Sequence, residues 1–232
     1  MKMKDKRKRI LISGIVLLAA FVLWTVLIRY IDVQAAGPNG TKIGFSGLNV
    51  RFHQMTGVNM TVYTVTDWLG LVPIAVCLCF GVFGLAQLIK RKSLFKVDFD
   101  ILLLGAYYVL IILGYLFFEA VPVNYRPILI DGRLEASYPS STTLLVLGVM
   151  PTLKFQVGRR TANTALKTLT TVFVTVFSSF MVTGRLISGV HWVTDIVGSV
   201  LLSFGLYELY RFSVVCFDKK RSGSKTEAYN GV

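Results

Sequence analysis

Residues 184–195 read GRLISGVHWVTD and place Arg185, His191 and Asp195 inside an otherwise apolar run. Ionisable side chains at membrane depth are energetically costly, so their presence indicates a functional site. The four-residue spacing of His191 and Asp195 predicts that both lie on one face of a helix. The carboxylate would then hold one imidazole nitrogen and leave the other exposed, an arrangement typical of a histidine that acts as a nucleophile or base.

Composition indicates a membrane protein. The chain has 232 residues, of which 54% are hydrophobic, and carries a formal charge of +13. Nucleic-acid binding is not expected, because the lysines and arginines cluster between apolar segments instead of lining one soluble face. The three cysteines, Cys77, Cys79 and Cys216, match no metal or redox spacing, and we expect neither a metal nor a cofactor.

Six apolar segments occupy residues 10–30, 68–89, 100–122, 139–155, 168–187 and 192–215. A helix needs about 20 mostly apolar residues to cross a bilayer, and only the fourth segment, which Pro151 interrupts, is marginal. We therefore predict an all-α fold, a six-transmembrane-helix bundle. Residues 32–67 are predicted to form a short interfacial segment between the first two spans. The predicted parts are a basic N-terminus (1–9), a membrane domain (10–215, with its catalytic core at about 68–210) and a tail (216–232).

Loop charge predicts the orientation. With six spans, 19 of the 25 lysines and arginines fall on one side of the membrane. The positive-inside rule then places both termini in the cytoplasm of a bacterial-type cell, in its plasma membrane, with the site on the outer face. The first segment could instead be a cleaved signal peptide, but its apolar run is longer than a signal core, so an uncleaved anchor is favoured.

This topology brings three polar clusters to one membrane face. They are Arg126 after the third span, PSST at residues 139–142 at the start of the fourth, and the segment that carries Arg185, His191 and Asp195. Arginines suit bidentate recognition of phosphate, and a helix that begins after a proline offers free backbone amides to an anion. A histidine backed by a carboxylate would supply the nucleophile, so the clusters together predict phosphoryl transfer.

The same residues resemble the type 2 phosphatidic acid phosphatase family of integral membrane lipid phosphatases. Its motifs, KxxxxxxRP, PSGH and SRxxxxxHxxxD, correspond in order to residues 119–127, 139–142 and 184–195. The resemblance implies that His191 forms a phosphohistidine that water hydrolyses, and that Asp195 orients it. It also implies that the phosphate is held by Arg126, Arg185, Ser140 and the amide of Ser141.

The first and second motifs are variant. Glu119 replaces the family's lysine, Ser141 and Thr142 replace the glycine and histidine of PSGH, and Gly184 replaces the serine of the third motif. In the family that histidine protonates the leaving group, which threonine cannot do near neutral pH. Either Glu119 acts as the acid, unless it only pairs with Arg126 or Arg133, or the leaving group needs little help. Arg133 could replace the lost lysine charge.

We therefore predict a lipid phosphatase whose partners are membrane lipids and a lipid phosphate or diphosphate, such as phosphatidic acid. A diphosphate expels a phosphate monoester, which is already a good leaving group, so undecaprenyl diphosphate of bacterial wall synthesis is favoured. A non-hydrolytic lipid-phosphate binder or transporter and a phosphotransferase remain alternatives. Asp67 is predicted to be the N-cap of the second span, and His53 to be an interfacial residue without a catalytic role.

Overall fold

Eight α-helices lie within the residues that the computed structural model describes, which are 3–230 for the backbone and 5–218 for the side chains. Between these limits only isolated β-bridges accompany the helices, so the all-α fold class is confirmed. The helices are α1 (Met3–Tyr30), α2 (Ser46–Thr56), α3 (Met60–Leu69), α4 (Leu71–Arg91), α5 (Phe99–Ala120), α6 (Ser141–Arg160), α7 (Thr164–Ile187) and α8 (Val193–Asn230).

Five stretches are long and apolar enough to cross a membrane: Asp5–Tyr30, Met60–Arg91, Phe99–Ala120, Thr164–Ile187 and Val193–Asp218. They indicate a multi-pass membrane protein, as predicted. α6 does not reach this hydropathy. The other helices enclose it: 10 of its 20 residues are buried, and it packs against α4, α5, α7 and α8. A central helix needs little apolar surface for lipid, so it can carry polar residues such as Thr152, whose hydroxyl bonds Tyr108. The sixth span therefore remains a prediction.

The second span differs from its predicted form. Asn59 caps α3 by accepting a hydrogen bond from the Val62 amide, so the helical stretch begins at Met60 instead of residue 68. α3 ends at Leu69, and the amide of the next residue, Gly70, donates hydrogen bonds to the carbonyls of Thr66 and Asp67. α4 begins directly after Gly70, at Leu71. Asp67 therefore lies in the last turn of α3, and the prediction that it is an N-cap was wrong.

The two ends of the bundle differ in charge. At one end, which we call the basic end, Arg159 pairs with Asp100 and Asp218, and Arg91 pairs with Asp98. The hydrogen bond from Arg91 holds the pKa of Asp98 below its ordinary value.

The opposite end, the site end, holds the C-termini of α5 and α7 and the N-termini of α6 and α8. The three motifs converge there, as the topology predicted.

Candidate active site

A hairpin positions the first motif. Residues 121–140 connect α5 to α6, and backbone bridges pair Tyr125 with Ala136 and Ile130 with Arg133. The turn consists of Asp131 and Gly132, with φ values of 48° and 74°. Two successive positive φ angles are typical of the tight hairpin turn that Asp-Gly favours, so this sequence signal could have predicted the hairpin. The pairing places Arg126 and residue 137 on neighbouring strands at the site end.

The second motif forms the start of α6. Ser140 precedes the helix and is fully buried, and its hydroxyl donates to Thr143 Oγ1 at 3.1 Å. Its carbonyl accepts a hydrogen bond from the Ser199 hydroxyl of α8 at 3.0 Å. Ser141, the first residue of α6, lines the polar cavity described below. The structure therefore gives Ser140 contacts that join α6 to α8, and it places Ser141 where a ligand would bind.

His191 lies in the loop before α8 and not on a helix face with Asp195. Its Nδ1 is 3.1 Å from the carbonyl oxygen of Ser137 and 3.7 Å from Asp195 Oδ2. The predicted stacking of His191 and Asp195 along one helix was therefore wrong, because α8 begins only at Val193. Asp195 instead accepts the backbone amide of Trp192 at 2.9 Å, as an acidic residue in the first turn of a helix often does.

The contact to Ser137 indicates which nitrogen of His191 carries a proton. A backbone carbonyl only accepts hydrogen bonds, so Nδ1 is the protonated nitrogen of the neutral ring and Nε2 keeps its lone pair. Burial, followed by the charges of Arg126 and Arg185, lowers the pKa of His191 well below its ordinary value. The imidazole is therefore neutral near pH 7, and Nε2 is available as a nucleophile.

Two buried arginines lie near His191: Arg185 is on its Nε2 side, and Arg126 lines the same cavity as His191. Arg185 Nη2 lies 3.4 Å from Nε2, and the exposed fractions of Arg126 and Arg185 are 8% and 1%. Within the described residues, Arg126 Nη1 and Arg185 Nε have no hydrogen-bond partner. A buried donor without a partner is costly and calls for an explanation. An anion bound between the two guanidinium groups would satisfy both donors.

Sequence reasoning missed the residues that hold these arginines. The guanidinium carbons of Arg185 and Arg126 lie 4.8 Å and 6.0 Å from the centroid of the same aromatic ring, that of Tyr63 in α3. Asp67 Oδ1 lies 3.5 Å from Arg185 Nη1, and Glu135 Oε2 lies 3.0 Å from Arg126 Nε. None of the three motifs includes these side chains.

Two adjacent cavities meet at the start of α6. The polar one has a volume of about 160 Å³ and is lined by residues that include Glu119, Arg126, Ser141 and His191. The second has a volume of about 350 Å³ and a mostly apolar lining from α4, α5 and α6, with Asp67 and Thr142 at its wall. Tyr115 and Ser141 line both cavities. The site therefore has a charged compartment beside an apolar one.

Glu119, Arg133 and Thr142 occupy the positions considered for a replacement acid or a replacement charge. The structure places the three in different surroundings. Glu119 is exposed and lines the polar cavity, but Glu135 makes the ion pair with Arg126 that was considered for Glu119. Arg133 is exposed at the end of the hairpin turn and does not line either cavity. Thr142 faces the apolar cavity. Only Glu119 therefore stays in a position to donate a proton.

No protein-family model and no curated protein matches this sequence. Its structure is similar to the crystal structure of a transmembrane PAP2 type phosphatidylglycerolphosphate phosphatase from Bacillus subtilis, with a TM-score of 0.64. The likeness covers 90% of this chain and 96% of that chain, at 16% sequence identity. The two chains share a fold over most of their lengths, and the fold implied by the motif resemblance is confirmed.

Proposed function

We propose that this protein is an integral membrane lipid phosphatase that acts through a phosphohistidine at His191. The observation that carries the proposal is that His191 lines the polar cavity together with Arg126, while its Nε2 lies 3.4 Å from Arg185 Nη2. A phosphate bound between His191 and the two arginines would accept hydrogen bonds from the unpartnered donors of both guanidinium groups. Phosphorus would then lie beside the imidazole nitrogen that keeps its lone pair.

The reaction has two steps. Nε2 of neutral His191 forms a bond to phosphorus while the bond from phosphorus to the leaving oxygen breaks, and the leaving group keeps the electron pair. The ring becomes cationic, and the Ser137 carbonyl and the Asp195 carboxylate stabilise its Nδ1 side. Water then attacks phosphorus while the bond from phosphorus to Nε2 breaks, and the electron pair of that bond returns to the nitrogen. The protons of the water stay on the oxygens of the released phosphate, and His191 is neutral again. The two arginines stabilise the charge on the phosphoryl oxygens in both steps.

The variant second motif favours a diphosphate substrate. Thr142 cannot protonate a leaving group near neutral pH, and Glu119 is an exposed carboxyl. A phosphate monoester leaves with less protonation than an alkoxide does, so a diphosphate makes a weaker demand on an acid. We therefore favour a polyprenyl diphosphate, undecaprenyl diphosphate in particular, with the part of its apolar tail next to the diphosphate in the cavity beside Thr142.

The location follows the charge distribution. We propose that α6 is the sixth span, that both termini lie in the cytoplasm of a bacterial-type cell, and that the site end faces the outside of the plasma membrane. Cysteine labelling of residues 123–138 from the outside of intact cells tests this orientation. Labelling of these residues only after the cells are opened would contradict it.

Phosphate release by the purified chain in detergent tests the activity. The panel contains undecaprenyl diphosphate, phosphatidic acid and phosphatidylglycerophosphate, the last because the structural neighbour is described as a phosphatase of that lipid. We expect the diphosphate to react fastest and His191→Ala to release no phosphate above background, with an acid-labile phosphoenzyme in the unmodified protein. His53→Ala, at the other histidine, is the matched control and should retain activity.

Each alternative gives a different result in this assay. Retained release by His191→Ala would contradict the mechanism, and equal rates on all three lipids would contradict the leaving-group argument. Tight lipid-phosphate binding without release by the unmodified protein would identify a binder or transporter. Transfer of the phosphoryl group to an added alcohol in preference to water would identify a phosphotransferase.

A further inference from the structure

A groove with a volume of about 950 Å³ lies between α7 and α8 and shares no lining residue with the polar cavity. α6 forms its floor, from Leu147 to Arg159, and residues of α7 and α8 form its walls. Twelve steps along a helix at about 1.5 Å each span about 18 Å, a little more than half of a hydrocarbon core of about 30 Å. The groove therefore has the length of one lipid leaflet.

The composition of the groove changes along its length. At its deep end the lining is uncharged and includes Leu147, Val182 and Val200. Towards the basic end it is lined by three cations, Lys154, Arg159 and Arg211. A mostly apolar lining, with the hydroxyl residues Thr175, Ser178, Ser179 and Thr183 along the α7 wall, ends in cations. It suits one anionic amphiphile, whose hydrocarbon chain lies along the groove and whose headgroup lies at the end of α6.

The cations differ in how far they are neutralised by the protein. Arg159 pairs with Asp100 and Asp218, and Arg211 pairs with Glu208 at 2.7 Å. Lys154 is exposed and makes no ion pair within residues 5–218. Its flexible stem can lie along the apolar wall while its ammonium group extends to the headgroup region. Positive charge thus remains at the mouth of the groove, where lipid phosphates lie.

We propose that this groove binds an anionic phospholipid of the leaflet at the basic end. One acyl chain lies on α6 between α7 and α8, and Lys154 and Arg211 contact the headgroup phosphate. This site is at the opposite end of the bundle from His191, and it does not depend on the proposed phosphatase activity. Each basic residue near a membrane surface contributes about 1 kcal/mol to the binding of anionic lipid, and Arg211 contributes less because Glu208 pairs with it, so the two residues together favour an anionic over a zwitterionic headgroup by about tenfold.

Native mass spectrometry of the full chain in a neutral detergent tests the proposal. Phosphatidylglycerol and phosphatidylcholine with the same acyl chains are added in turn, and the affinity of the first bound lipid is measured. We expect phosphatidylglycerol to bind about tenfold more tightly than phosphatidylcholine. The double variant Lys154→Ala with Arg211→Ala should reduce this preference to about twofold or less, whereas Lys90→Ala, which removes a charge from α4 outside the groove, should retain it.

A second pair of variants tests the position of the acyl chain. Thr175 is an exposed residue of the groove wall on α7, so Thr175→Phe fills the groove without disturbing a buried contact. Val172 is exposed on the same helix but does not line the groove, and Val172→Phe is its matched control. We expect Thr175→Phe to weaken binding of both lipids and Val172→Phe to leave it unchanged.

Several outcomes would overturn the proposal. These are equal affinities of the two lipids for the unmodified protein, a preference that survives loss of Lys154 and Arg211, and unchanged binding in Thr175→Phe. Loss of the preference in Arg126→Ala would assign the anionic lipid to the polar cavity and would also overturn it. Melting curves of all variants establish that each is folded, so that loss of lipid binding is not loss of structure.

Discussion

Gly184 allows α7 to approach α3 closely, and its replacement by alanine should destabilise the protein. A Cβ at this position would lie 2.6 Å from Thr66 Cγ2. Carbon atoms in contact are normally about 3.5–4.0 Å apart, so the helices must separate by about 1 Å or Thr66 must rotate. Rotation is opposed by the hydrogen bonds from the Thr66 hydroxyl to the carbonyls of Val62 and Tyr63. Overpacking of this kind costs about 1–3 kcal/mol, against about 1 kcal/mol gained from the helix propensity of alanine.

Taken from the middle of the overpacking range, the expected loss is about 1 kcal/mol, which lowers Tm by about 2–4 °C for a chain of this size. Thermal unfolding in detergent, followed by tryptophan fluorescence, measures it. Phosphate release should fall as well, because Arg185 follows the substituted residue and Tyr63 lies on the helix that is pushed away. The serine that the family motif has at this position would meet the same methyl group, so the packing of α3 accounts for the departure from the motif.

A double-mutant cycle identifies the cause. Thr66→Ser removes only Cγ2 and keeps the hydroxyl, and the next atoms near the new Cβ are Val62 Cγ1 at 3.7 Å and Thr66 Cβ at 4.0 Å, which are ordinary contacts. Thr66→Ser should therefore restore Tm in the presence of Gly184→Ala. Gly105→Ala, where nothing lies within 4 Å of the added Cβ, is the control and should not lower Tm. An unchanged Tm in Gly184→Ala, or no recovery in the double variant, would refute the steric argument.

Three further predictions concern the site. Tyr63→Leu removes the ring below both guanidinium groups and should lower kcat/KM for phosphate release about tenfold or more. Tyr63→Phe keeps the ring and should retain most of the kcat/KM. Equal losses in the two variants would contradict a role of the ring face. Gly198→Ala would place a Cβ 2.4 Å from the Tyr138 ring and should lower Tm in a melting experiment, and an unchanged Tm would contradict this packing. Nitrogen NMR of protein labelled in its two histidines, with His53→Gln for assignment, should show His191 neutral and protonated at Nδ1 at pH 6. Because its folded pKa lies below the unfolded value of about 6.5, the unfolded chain binds more protons as pH falls through 6.5, and the free energy of unfolding should decrease there. A charged His191 at pH 6 would contradict the burial argument.

The membrane character and the helical class could be predicted because both depend on long apolar runs. The boundaries of the second span could not, since Asn59 starts α3 within a stretch of mixed polarity and Gly70 divides the span into two helices. α6 shows a more general limit. Hydropathy measures the apolar composition of a helix, which must be high only where the helix faces lipid. A helix enclosed by four others has little surface that faces lipid. The Thr152 hydroxyl of α6 and the Tyr108 hydroxyl of α5 bond each other inside the bundle, so Thr152 lowers the hydropathy of α6 without exposing an unpaired polar group.

The third motif predicted which residues meet at the site but not how they contact one another. Arg185 and His191 do adjoin, and Asp195 is near. The partner of Nδ1, however, is the carbonyl of Ser137, and every residue has a carbonyl, so no side-chain pattern can predict this contact. It depends on the hairpin, which the Asp-Gly dipeptide at 131–132 does indicate.

Tyr63 and Asp67 could not have been identified from the sequence for a different reason. An aromatic residue and a carboxylate in a loop-like segment have many possible surroundings, and only the packing of α3 against α7 brings both to Arg185. The two arginines would otherwise repel each other in a buried site. Tyr63 offers one electron-rich face to both, and Asp67 and Glu135 each balance one charge. Arg126 Nη1 and Arg185 Nε still have no hydrogen-bond partner within the described residues, so a phosphate bound between the arginines, as proposed above, would satisfy both donors and should raise Tm.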